Sequence, residues 1–161
     1  MSRWQIIWLS LLAIITVGVF VWVVLGSFNV CTEGTDEIYQ KTIAALDAIV
    51  ELSVKLSTAL IGLGAALLIG LKTGLRFTPV TKLITITAVL FFAQSALYAV
   101  LWRLGVAELW LNKCLELVSQ DILTRPYQAH FGFFLAGLLA LGALVVIAAF
   151  GVRESGSGES T

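Results

Sequence analysis

Asp47, Glu51 and Lys55 fall four residues apart, which puts two carboxylates and an ammonium on one face of a helix. Glu51 precedes Lys55 in the order that favours an intrahelical ion pair. Within a membrane such a stripe marks the entrance to an ion path. At the outer margin of a membrane it is a solvated face, and that is the reading preferred here. Gln94, Ser95 and Tyr98 form a second polar set, in a stretch otherwise made mainly of Leu, Ala, Val and Phe. Gln94 and Tyr98 lie one turn apart, and their expected role is hydrogen bonding across helices rather than ligand contact. The run Tyr127-Gln128-Ala129-His130 holds the only histidine. One histidine cannot supply bis-histidine haem ligation or a typical zinc site, so neither metal nor cofactor is expected. His130 is expected to hydrogen-bond a Tyr or Glu, with a pH-sensitive bond or a partner contact as the alternatives.

Cys31 and Cys114 are the only cysteines. Both fall between apolar runs on the same side, and a Cys31–Cys114 disulfide is the expectation if that side is oxidising. Two free thiols are the other reading. A redox-active pair is disfavoured, because the chain has no C-x-x-C.

The elements that must position these residues are apolar. Of the 161 residues, 59% are hydrophobic and only 12% charged, with a mean hydropathy of +0.98. A soluble domain carries about a quarter charged residues. The formal net charge is zero, which leaves no electrostatic footprint for nucleic acid. Four uncharged runs lie between Arg3 and Glu33, Lys55 and Lys72, Lys82 and Arg103, and Arg125 and Arg153. A helix needs roughly 17–25 residues to cross a hydrocarbon core of about 30 Å. The fold class expected is therefore all-α, a four-transmembrane-helix bundle. It forms one membrane domain over 1–153, with spans at about 4–25, 44–73, 79–103 and 126–151, and a disordered tail at 154–161. The first run is longer than the apolar stretch of a cleavable signal, so it reads as an uncleaved span.

Two refinements follow from periodicity. Helical spacing runs from Ile38 to Gly74, about 50 Å of helix, so the second helix is expected to project outside the membrane. Ala107, Leu111, Leu115, Val118 and Ile122 line one face opposite Glu108, Asn112, Glu116 and Gln120. That pattern predicts an extra amphipathic helix at about 106–122, between spans three and four. Gly74 as a stop and Thr78-Pro79 as a cap and first turn predict a tight hairpin between spans two and three.

Small residues recur every four positions in span two, at Thr58, Gly62, Ala66, Gly70 and Gly74, with a looser series at Ala129, Gly132, Ala136 and Ala140 in span four. Glycine lets helix backbones approach closely in lipid. The seam serves contact within the bundle or contact between subunits.

Lys72, Arg76 and Lys82 cluster in one turn, which the positive-inside rule places in the cytoplasm together with both termini. The location expected is a cell membrane, either a bacterial inner membrane or a eukaryotic plasma membrane. The partners expected are the lipid bilayer and either a homo-oligomer or another membrane protein. The leading functional reading is a non-enzymatic, self-associating or accessory subunit. The alternatives are a small oligomeric channel lined by the second span, and a membrane enzyme acting on lipid or quinone through His130 and Tyr127.

Overall fold

A computed structural model describes residues 3–25, 37–69, 78–111 and 121–155. These residues form four α-helices: α1 (Arg3–Val24), α2 (Glu37–Ile69), α3 (Pro79–Leu111) and α4 (Asp121–Ser155). Each is long and apolar enough to cross a membrane.

Helix α3 is the axis of the bundle and packs against both α2 and α4. Its start follows from local chemistry. Thr78 Oγ1 accepts the Thr81 backbone N–H at 3.3 Å, and Pro79 occupies the first helical position, where its missing N–H costs nothing. Asp47 lies against Arg103 and Gly64 against Val89, so α2 runs antiparallel to α3. Gly105 lies against Leu123 and Gly137 against Phe92, so α4 does the same.

Two glycines set how close the helices come. A Cβ on Gly64 would lie 2.6 Å from Val89 Cγ2, and one on Gly137 would lie 2.8 Å from the Phe92 ring. Only a residue without a side chain lets α3 seat its Val and Phe there. The α3–α4 face is further filled by aromatic pairs: Phe91 with Phe133, Phe92 with Phe134, and Tyr98 stacked on Phe133 at 5.5 Å.

Helix α1 is attached differently. Leu12 and Val23 are its buried residues. Trp8 Nε1 donates to Thr87 Oγ1 at 3.2 Å, and Arg125 Nη1 donates to the Trp22 carbonyl at 3.0 Å. The latter carbonyl lies in the last turn of α1. The Arg125 guanidinium also sits over the Trp22 ring, 5.5 Å from its centroid.

Two expectations find no support among the described residues. One is a separate amphipathic helix at 106–122, of which residues 112–120 lie outside the described residues. Residues 106–111 continue α3 without a break, and 121–122 open α4. Gly105 lies inside α3 at a close approach to α4, where an added Cβ would fall 3.2 Å from Leu123 Cδ2 and 3.4 Å from the Ile122 carbonyl oxygen. Nor is a projection peculiar to the second helix supported: α2 and α3 each have 33 residues and α4 has 35. Helix α4 also starts earlier than Pro126, because Asp121 and Arg125 pair at 2.7 Å one turn apart and carry the helix upstream of the proline.

Candidate functional site: a buried histidine clasp and a charged end

His130 is 1% exposed and ties three helices together. Its Nδ1 lies 2.8 Å from the Ser95 carbonyl and 2.9 Å from Ser95 Oγ on α3. Its Nε2 lies 2.6 Å from Ser53 Oγ on α2. A carbonyl oxygen can only accept, so Nδ1 carries the hydrogen that faces it. In the neutral ring Nε2 is then an acceptor, and the single hydrogen of the Ser53 hydroxyl is shared between it and the Val50 carbonyl, which lies 2.9 Å away within α2. Ser57, one turn further along α2, is fully buried, and its Oγ has no partner among the described residues.

A serine hydroxyl donating to a histidine whose other nitrogen is oriented by an acceptor is half of a nucleophile arrangement. Here it is closed. Ser53 is 5% exposed, and Val50, Ser57 and Ser95 beside it are fully buried, so a reacting carbon has no approach. The arrangement acts as a clasp. Ser95 lies eight residues from Arg103 along α3, about 12 Å into the uncharged stretch 83–102.

The second cluster sits at the end of that stretch. Arg103 Nε donates to Asp47 Oδ1 at 3.0 Å, Arg103 Nη2 lies 3.9 Å from Glu51 Oε2, and Lys55 Nζ lies 2.6 Å from Glu51 Oε1. All four side chains are partly exposed. The helix-face pairing of Glu51 with Lys55 read from spacing is present; Arg103 joins the stripe at Asp47, 56 residues away in sequence. Above the clasp, Trp102 and Tyr127 pack with their ring centroids 6.4 Å apart.

The remaining sequence candidates fall as follows. Tyr98 is fully buried against Phe133, and its hydroxyl has no partner among the described residues. Gln94 is half-buried, and the inward role at its level belongs to Ser95. His130 bonds serines rather than a Tyr or Glu. Gly62 faces open space, with nothing within 4 Å of a Cβ built on it, and Ala66 is half-buried. Gly70, Gly74, Cys31 and Cys114 lie outside the described residues, as does the predicted turn before Thr78.

Sequence reasoning missed Ser53, Ser57, Arg103, Gly64 and Gly137. The signal for the serines was present: a lone histidine in an uncharged run must find polar partners, and mid-helix hydroxyls are the groups within reach. Among the described residues, no group of three or more His, Cys, Asp or Glu is placed to hold a metal. Comparison with family models, curated proteins and solved structures finds no match.

Proposed function

We propose that the chain is a non-enzymatic membrane subunit that associates with itself through the exposed face of α2. The observation that carries this reading is the open position of Gly62. Among the described residues nothing lies within 4 Å of a Cβ built there, although glycine at that position allows another backbone to come close. Thr58, one turn away, is exposed and spends its hydroxyl on the Val54 carbonyl at 2.9 Å. The face therefore makes no polar demand on a partner helix. In lipid, association is driven by such packing rather than by apolarity.

Conduction is the less favoured reading. Asp47 and Glu51 would serve a cation path as an unpaired acidic ring, and here each has a basic neighbour in Arg103 or Lys55. Catalysis is disfavoured by the closure of the Ser53–His130 pair. We further propose a cell-membrane location with both termini cytoplasmic, on the strength of the basic cluster Lys72, Arg76 and Lys82.

The test is the mass of the protein in mild detergent, by sedimentation equilibrium over a wide concentration range. The intact chain should self-associate, and Gly62→Leu should shift it towards monomer. A chain that stays monomeric throughout, or an oligomer indifferent to Gly62→Leu, would overturn the reading.

A further inference from the structure

We propose that the charged end of the bundle binds the headgroup of a zwitterionic phospholipid, with the start of its acyl chain held beside Trp102. Two cavities meet there and share Ile43 and Trp102 as walls. One is an open groove of about 740 Å³, whose polar lining is Asp47, Glu51, Arg103 and Gln40. The other is a smaller, mostly apolar cavity of about 180 Å³ between α2 and α4, lined by Leu46, Leu123, Thr124 and Tyr127 beyond the shared pair. A cavity of about 150 Å³ lined by apolar side chains takes a benzene-sized molecule, so the smaller one holds a short segment of acyl chain. Polar and apolar halves in contact describe an amphiphile.

Charge selects its headgroup. The guanidinium of Arg103 sits between Asp47 and Glu51, and each of the three side chains keeps 46–49% of its surface exposed. A phosphate placed on Arg103 and a quaternary ammonium placed by the carboxylates would each meet an opposite charge. With Lys55 paired to Glu51, the groove presents Arg103 and Asp47, one charge of each sign, so a purely anionic headgroup meets Asp47 beside the arginine and a purely cationic one meets the arginine beside Asp47. Position agrees with charge. The groove lies where the uncharged stretch 83–102 of α3 ends at Arg103, and Trp102 and Tyr127 are the residue types that gather at the headgroup level.

The test uses the purified full chain in a neutral maltoside detergent. Lysophosphatidylcholine, lysophosphatidylglycerol and cetyltrimethylammonium are added separately at equal concentration, and bound adducts are read by native mass spectrometry. Lysophosphatidylcholine should be retained at least about tenfold over the other two, a preference of about 1.4 kcal/mol. The double variant Arg103→Gln with Asp47→Asn should remove the preference, and Leu46→Trp, which fills the apolar half, should reduce retention of the zwitterion. Thermal melts confirm that each variant is folded before it is compared. Equal retention of all three amphiphiles, no retention of any, or a preference that survives the double variant would overturn the proposal.

Discussion

Helices α1 and α3 invert the relation between apolarity and burial. Helix α1 is the more apolar, yet 11% of its most hydropathic window is buried, against 39% for α3. Water-soluble domains bury what is most apolar. In a bilayer the tails are as apolar as leucine, so hydropathy selects the solvent and leaves packing to be decided by other features. Helix α3 has those features. Its partners supply Gly64 and Gly137 as slots for Val89 and Phe92, and its Ser95 takes part in the histidine clasp. Helix α1 carries Gly18, which has nothing within 4 Å of a built Cβ. It is held by side-chain pins towards its two ends, at Trp8 and Trp22. Along its contact with α4, Ile15, Val19 and Phe133 border a cleft of about 410 Å³ rather than an interlocked face.

The largest effect should come from filling the slot on α4. A side chain at Gly137 meets the Phe92 ring, which is fully buried and has nowhere to move. Overpacking typically costs about 1–3 kcal/mol, and Gly137→Leu should reach or pass the top of that range in detergent unfolding. Val17→Leu on the exposed side of α1 should change stability by no more than about 0.5 kcal/mol. Equal losses for the two would remove the distinction between the helices.

A smaller but diagnostic loss is expected from the clasp. His130→Leu leaves the Ser53 and Ser95 hydroxyls without their histidine partner. A buried polar group left unsatisfied costs about 1–3 kcal/mol, while interhelical hydrogen bonds in membranes average nearer 0.6. The expected loss is about 2 kcal/mol, because the two serines are affected together. Ser53→Ala should cost less in the His130→Leu background than in the native chain, since the partner it would abandon is already gone. Additive losses in that cycle, measured by unfolding in detergent, would show that the 2.6 Å contact carries no coupling.

What could be read in the sequence was local. The Thr78-Pro79 start, the Glu51–Lys55 pair and the four apolar helices each depend on residues within a few positions of one another. What could not be read depends on register between helices. Gly62 and Gly64 look alike in sequence, and the repeat every four residues favours the former. Only the placement of α3 decides that Gly64 receives Val89. Arg103 was visible as the end of an uncharged run, but its match to Asp47 requires the antiparallel pairing of α2 with α3. Gly105 shows the limit of local rules: glycine disfavours helix by about 1 kcal/mol, yet α3 runs through it, in close contact with Ile122 and Leu123 of α4.

The smallest effect on the fold should come from Gly62→Leu, and it sharpens the comparison most. Gly62 and Gly64 share a helix and lie two residues apart, so intrinsic helix propensity favours leucine over glycine equally at both, by up to about 1 kcal/mol. Any difference between them must come from what the new side chain meets. At Gly64 it meets Val89, and a loss of about 2 kcal/mol or more is expected. At Gly62 it meets open space, so the stability of the single chain should stay within about 0.5 kcal/mol of the native value or rise. The two variants should be compared by unfolding at a detergent-to-protein ratio high enough to hold one chain per micelle, where subunit contacts contribute nothing. If Gly62→Leu is as damaging there as Gly64→Leu, the face of α2 turned towards α3 is wrongly assigned. If Gly62→Leu is neutral in isolated chains but destabilises them at low detergent, its cost belongs to the contact between copies.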